Sequence, residues 1–254
     1  MDAVLEGWVD NAYALVRPPG HHARRAGGLG FCLVNNIGVA IARSIARGDA
    51  ERVAVVDFDV HHGNGTQDIF YADPNVLTIS LHQDQLFPAN SGHLHENGNG
   101  PGVGANLNVP LPPGSGHGAY LAAFDEVVLP ALHRFVPDVI VVAAGYDAGA
   151  YDPLGRQMLT SATYREMTRK LLSAAEELCD GRLVASHEGG YSPWAVPFHG
   201  LAVLEEMAGV RSGVADPFAR SFEIAGQQDL QPHQRSAIER AANLVTNRLD
   251  STAS

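Results

Sequence analysis

Short apolar runs rich in β-branched residues alternate along the chain with stretches of helical period. Tyr13-Ala14-Leu15-Val16, Val53-Ala54-Val55-Val56, Val139-Ile140-Val141-Val142 and Leu183-Val184-Ala185 are continuous rather than alternating, as strands covered on both faces of a parallel sheet must be. Strands are predicted near 12–16, 52–58, 76–81, 106–109, 138–144 and 182–186, and helices near 33–47, 66–71, 117–134, 161–179, 197–208 and 232–249. Over 161–179 the apolar Tyr164, Met167, Leu171, Leu172 and Ala175 share a face, with Thr160 or Ser161 as cap and Gly181 just beyond the end. The last helix carries little sign of chemistry and is expected at the periphery. From Leu86 to Pro113, Asn, Gly and Pro dominate, which predicts a long irregular loop. It follows the strand at 76–81 and should wall a pocket at that edge of the sheet. The pattern predicts one α/β domain over residues 1–254: an open, mainly parallel central sheet with helices on both faces.

Composition narrows the function classes. Charged residues make up 18 % and hydrophobic ones 45 %, ordinary for a globular protein, while the formal charge of −11 argues against a phosphate-binding surface. An acidic surface tolerates or attracts a cationic substrate, while many cytosolic enzymes are acidic for solubility alone. No apolar run approaches the ~18 residues of a membrane span, and the N-terminus lacks the basic start of a secretory signal. Cys32 and Cys179 are too few for a disulfide framework, so a reducing cytoplasm is expected. Nucleic acid and membrane are not expected among the partners.

Three of the apolar runs end in acid, imidazole or phenol chemistry: Asp57-Phe58-Asp59-Val60-His61-His62-Gly63, Gly145-Tyr146-Asp147 and Glu188-Gly189-Gly190-Tyr191. A fourth, Arg17-Pro18-Pro19-Gly20-His21-His22, adds a histidine pair. Ligands of open α/β sheets gather outside the carboxyl ends of the strands, so these loops should converge. Asp59 and His61, two apart, lie on one face of an extended segment, and Asp147 can close a third corner. Three protein ligands with a fourth position left to water describe a catalytic rather than a structural zinc site, although so oxygen-rich a set leaves Fe²⁺, Co²⁺ and Mn²⁺ open. His21 and His22 titrate near neutrality and suit proton transfer, with Asp57 and Asn64 available to fix their tautomers. Tyr191, after two glycines, can donate to an oxyanion.

Together these runs resemble the histone deacetylase superfamily, more closely its bacterial class II-like amidohydrolases, relatives of the acetylpolyamine amidohydrolases. Further matching runs are Gly30-Phe31-Cys32-Leu33-Val34-Asn35-Asn36, Asn64-Gly65-Thr66, Ser80-Leu81-His82 and Asp152-Pro153-Leu154, in the expected order between Val9 and about Ala215. The resemblance implies the arginase/deacetylase fold, one catalytic Zn²⁺ held by Asp59, His61 and Asp147, and His21, His22 and Tyr191 as catalytic groups. It places Asp57 behind His21 and Asn64 behind His22. It also implies an acyl-lysine tunnel lined by Phe31 and Phe87, with Gly30 and Gly190 at the substrate; two flat apolar walls suit a methylene chain. Structural K⁺ is implied at Asp57, Asp59, His61, Ser80 and Leu81, and at a second site with Phe70, Asp73 and Val76. The expected activity is zinc-dependent deacetylation of an acetyl-lysine or acetylpolyamine. The alternatives are a non-catalytic acyl-amine binding or scaffold protein and a ureohydrolase of the same fold, which would need a second catalytic metal. Members of the family carry a long segment before the histidine pair, whereas His21 comes early here. A shortened N-terminus with an exposed sheet edge is therefore expected, and with it poor stability or association into a homo-oligomer, and weaker activity than in a form extended upstream.

Overall fold

The computed structural model describes residues 1–246. Its six strands are β1 (Asn11–Ala14), β2 (Val53–Asp57), β3 (Val76–Gln83), β4 (Asn106–Leu111), β5 (Val139–Ala144) and β6 (Leu183–His187). They form one sheet in the order β1-β6-β5-β2-β3-β4, and every pairing is parallel. From β2 the chain builds outward through β3 and β4, while β5 and β6 build the other way. The gap between the ends of β2 and β5 is thus the point of topological reversal where such sheets bind ligands.

The helices are α1 (Asp2–Leu5), α2 (Asn36–Arg47), α3 (Asn64–Phe70), α4 (His117–Ala123), α5 (Leu129–Phe135), α6 (Ser161–Cys179), α7 (Val196–Ala208), α8 (Ala219–Glu223) and α9 (Pro232–Thr246). Helix α2 starts at residue 36 rather than 33 because Asn35 caps it, its Oδ1 accepting the Gly38 N–H at 2.7 Å. The single helix predicted over 117–134 is instead α4 and α5 joined by a π-helical turn at Phe124–Val128, where the Leu129 N–H reaches back to the Phe124 carbonyl. Pro130 has no N–H to continue the ordinary ladder, and the wider turn makes room for its ring.

Side chains of the central strands alternate between two cores, which is why the runs are apolar throughout. Ala54, Val56, Ile140 and Val142 enter the larger one, under α4, α5, α6 and α9. Val53, Val55, Val139 and Val141 enter a smaller one with Ile37, Ile41 and Phe70. The last helix is not peripheral in its packing: Ala237, Ile238, Ala241 and Val245 are buried in or beside the larger core, against β4 and α4. Residues 247–249 of the predicted helix lie outside the described residues. None of the described helices is long and apolar enough to cross a membrane.

The smaller core is thinly covered. A groove of about 300 Å³ lies open on it between β1, α2 and the middle strands, lined by Ala14, Val16, Val34, Ile37, Val141 and Val184 among others. Beside it β1 pairs only with β6 among the described strands, and Leu15 is 76 % exposed. An edge of this kind pairs readily with another chain. Sedimentation is expected to detect self-association of this chain, and Leu15→Lys to reduce it; a purely monomeric wild type at micromolar concentration would dismiss the expectation.

Candidate active site

The loop after β2 builds the first half of the site by alternation. Phe58 and Val60 are fully buried in the larger core, which turns Asp57, Asp59 and His61 to the opposite side. Asp147, from the loop after β5, meets them across the reversal point. One ligand atom each from Asp59, His61 and Asp147 lies within 4.8 Å of the others, and all three residues are buried. His61 Nδ1 stands 3.0 Å from Asp59 Oδ1 and 3.1 Å from Asp147 Oδ2.

Backbone amides aim the carboxylates: Val60 N–H donates to Asp147 Oδ1, His61 N–H to Asp59 Oδ1 and Gly189 N–H to Asp59 Oδ2, at 2.8, 2.9 and 2.8 Å. Burial disfavours a charged His61, yet hydrogen bonds to Asp147 and Asp59 outweigh it and hold the imidazole up to about 10. Burial raises the Asp147 carboxyl to about 7, with the Asp59 charge adding to it. For Asp59 burial is again the largest influence and opposes the charge, but His21 and His61 prevail and keep the carboxyl below its usual range. Without a metal, the His61 proton sits where positive charge is wanted. A divalent cation held there would take the place of that proton and balance both carboxylates, so this donor set fits zinc.

Backbone must approach these carboxylates closely. A Cβ on Gly189 would stand 2.2 Å from Asp147 Oδ2 and 2.7 Å from Asp59 Oδ2, and one on Gly145 would stand 2.3 Å from Asp59 Oδ2. Gly189→Ala is therefore expected to push the carboxylates apart and weaken metal binding by about 10–100-fold, the scale of other disturbances to ligand orientation. Competition with a chelating dye checks this; an unchanged affinity would mean that the loop yields instead.

The histidine pair lies beside this trio. His21 Nδ1 is 2.9 Å from Asp57 Oδ2 and His22 Nδ1 is 2.7 Å from Asn64 Oδ1, so each ring has its own orienting partner. The rings are tilted by 40° to each other with their centroids 4.0 Å apart. Burial lowers His22 to about 2, and the neighbouring His21 adds to this. Burial also opposes charge on His21, but Asp59 and Asp57 together hold it well above the ordinary imidazole value. Glu188, fully buried, braces the loop: its Oε2 accepts the N–H groups of Gly20 and His21 at 2.7 and 3.0 Å.

A cavity of about 310 Å³ opens above these groups, lined by His22, Gly30, Phe31, His61, Leu86, Phe87, Leu154 and Tyr191. Phe87 stands edge-on to His22 at 5.1 Å, and Phe31 packs on Tyr191 at 5.8 Å. Gly30 has φ +53°, and a Cβ there would meet the His22 ring at 2.3 Å, so only glycine fits. Tyr191 is tethered through its N–H to Asp152 Oδ2 at 2.6 Å. Gly190, expected at the substrate, is not among the lining residues. Its φ of +133° turns the chain into Tyr191, and a Cβ there would meet Tyr146 and Val196 at the back of the loop.

The loop predicted from Leu86 to Pro113 walls the pocket with Leu86 and Phe87, and its later part contains β4, the strand expected near 106–109. Between them it is fastened by a polar network in which Gln67 Oε1 meets His62 and accepts from Asn106 and Asn108, while Gln67 Nε2 donates to Glu96. Ser80 faces Asp57 in register on the neighbouring strand, with Leu81 following it. Phe70, Asp73 and Val76 share the turn from α3 into β3, where Asp73 Oδ1 accepts the Asn75 N–H. Leu86, Leu154 and Glu188 were given no site role from the sequence. Each nevertheless had a local signal: Leu86 opens the loop expected to wall a pocket, Leu154 closes the run Asp152-Pro153-Leu154, and Glu188 stands ahead of two glycines and Tyr191.

A family model described as the histone deacetylase domain matches residues 1–207. The chain is 55 % identical over 224 residues to a histone deacetylase-like amidohydrolase of Pseudomonas aeruginosa, covering 88 % of this chain and 59 % of that protein. It is 45 % identical over 208 residues to a probable deacetylase of Archaeoglobus fulgidus, covering 82 % and 57 %. It thus spans less than two thirds of either relative's length. Among solved structures, the HDA15 HD domain superposes with a TM-score of 0.86 at 36 % identity, covering 99 % of this chain and 66 % of that one. The histone deacetylase Clr3 does so with a TM-score of 0.81 at 37 % identity, covering 97 % and 39 %.

Proposed function

The chain belongs to the histone deacetylase family, and on that premise we propose that it is a zinc-dependent deacetylase hydrolysing the amide of an acetylated or otherwise acylated amine. The observation that carries this is that His61 of the Asp59–His61–Asp147 trio, His22 of the oriented histidine pair and Tyr191 all line one apolar cavity. Asp59, His61 and Asp147 would hold a zinc ion, which when bound would supply Lewis acidity toward the amide carbonyl and the attacking water.

His22 spends its Nδ1 proton on Asn64 and so offers Nε2 as the base for the proton that water loses on attack. His21, kept charged by Asp59 and Asp57, holds a proton for the departing amine. Tyr191 donates to the oxyanion that forms as the carbonyl carbon becomes tetrahedral. The C–N bond then breaks to give a carboxylate and a free amine. Phe31, Phe87, Leu86 and Leu154 form apolar walls for a methylene chain, as in acetyl-lysine or an acetylpolyamine, and shed water from the reacting amide. The charge of −11 favours a cationic small molecule.

The proposal extends to structural K⁺ at Asp57, Asp59, His61, Ser80 and Leu81 and at Phe70, Asp73 and Val76. A higher melting temperature in potassium chloride than in tetramethylammonium chloride is the expected result, and equal melts would remove K⁺ from the proposal.

Hydrolysis of a fluorogenic acetyl-lysine peptide and of acetylputrescine, each with and without chelator, tests the function. Turnover should stop on chelation and return with added Zn²⁺. A chain that binds these amides yet hydrolyses neither, fully metallated, would be an acyl-amine binding or scaffold protein instead.

A further inference from the structure

One layer below the pocket wall formed by Gly30 and His22 lies a second group of metal-ligating side chains. His21, Cys32 and Glu188 each bring one ligand atom within 4.8 Å of the other two, and each residue is at most 2 % exposed. His21 uses Nδ1 on Asp57, which leaves Nε2 for a ligand. The Cys32 thiol is held only by long contacts, accepting from the His22 N–H and donating to the Gly30 carbonyl, both at 3.5 Å. Glu188 anchors Oε2 on two backbone amides, while its Oε1 is buried with no hydrogen-bond partner. A buried carboxylate oxygen left unpaired is destabilising, so a cation at this place would relieve an existing deficit.

The donor chemistry differs from that of the trio above it. One imidazole, one thiolate and one carboxylate suit a borderline-soft divalent ion, whereas Asp59, His61 and Asp147 offer no sulfur. Three atoms no more than 4.8 Å apart leave a central point at most about 2.8 Å from each. Closing onto bonds of ~2.0–2.3 Å takes side-chain shifts of less than about 1 Å. We propose that His21, Cys32 and Glu188 form a second metal site, for Zn²⁺, Co²⁺ or a similar ion, filled after the first. The incoming ion displaces two protons to solvent, one from the Cys32 thiol and one from His21 Nε2, and bonds to the lone pairs they leave. On the catalytic reading given above, on which this consequence rests, the occupied site stops His21 from carrying a proton and switches hydrolysis off.

Cobalt titration of the metal-free chain tests the site independently of activity. The first equivalent should give d–d absorption only. The second should add a near-ultraviolet thiolate-to-cobalt band and abolish turnover of the acetyl-lysine peptide. Cys32→Ser should remove the band, and Cys179→Ser, which alters the chain's other cysteine, should keep it. Glu188→Gln should weaken the second equivalent about 10–100-fold, with circular dichroism confirming that each variant folds. No band at excess Co²⁺, a band surviving Cys32→Ser, or second-site affinity indifferent to Glu188→Gln would each overturn the site. A band with undiminished turnover would leave the site standing and remove His21 from the proton transfers.

Discussion

Asp147→Asn should give a folded chain that has lost its metal and, with it, all measurable hydrolysis of acetyl-lysine. Asp147 is fully buried, with Oδ1 accepting the Val60 N–H and Oδ2 facing His61 Nδ1. The amide keeps an oxygen for Val60 and places a neutral NH₂ where an anionic ligand is required. The metal-free fold should lose the hydrogen bond from His61 but little through the missing charge itself, because burial and the Asp59 charge already disfavour the ionised form of Asp147. Asp147→Ala serves as the contrast, since it strands the Val60 N–H at a cost of about 1–3 kcal/mol as well as losing the ligand. Metal analysis and thermal melts of the metal-free proteins, wild type and both variants, separate the two effects. Full metal content and activity in Asp147→Asn would remove this residue from the metal centre.

Tyr191→Phe should leave the metal bound and the fold intact while kcat falls on the order of 10²–10³-fold, the loss expected for one oxyanion donor. The tether to Asp152 runs through the Tyr191 backbone N–H, and the contact with Phe31 is made by the ring, so phenylalanine retains both. Burial and the charges of Asp59 and Asp147 push the phenol above its usual value, which keeps the group a proton donor at neutral pH. A donor that acts as the carbonyl becomes tetrahedral contributes little to the ground state, so KM should change much less than kcat. Steady-state kinetics with acetyl-lysine peptide decide the matter; near wild-type kcat would exclude Tyr191 from the reaction.

Gly189 connects both predictions to the fold. Its N–H aims Asp59, its missing Cβ makes room for Asp147 Oδ2, and it leads two residues later to Tyr191. The run Glu188-Gly189-Gly190-Tyr191 shows that glycines precede a candidate phenol, but not what fills the space beside each. In the folded chain the two glycines do different work: Gly189 faces the carboxylates, and Gly190 supplies the positive φ that turns the chain into Tyr191.

The six strands, and the ends from which Asp59, Asp147 and Tyr191 depart, were legible along the chain because central parallel strands are buried on both faces. Burial on both faces leaves uninterrupted apolar runs, and the first polar residue after each run marks the exit. The Asp59-x-His61 spacing was legible for a related reason: Phe58 and Val60 must enter the core, so their alternate neighbours cannot. Features that depend on distant segments meeting had no such local trace. The reversal of strand order between β2 and β5 brings Asp147 against His61, 86 residues away in sequence. Glu188 finds the amides of Gly20 and His21 across more than 160 residues, and Leu86 and Leu154 become opposite parts of one wall. The π turn before Pro130 and the burial of α9 likewise follow from the neighbours that those helices meet. Periodicity records how a segment faces its own surroundings, and so it yields elements and exits. Which exits share a site depends on packing between elements, and that is settled only when the sheet is assembled.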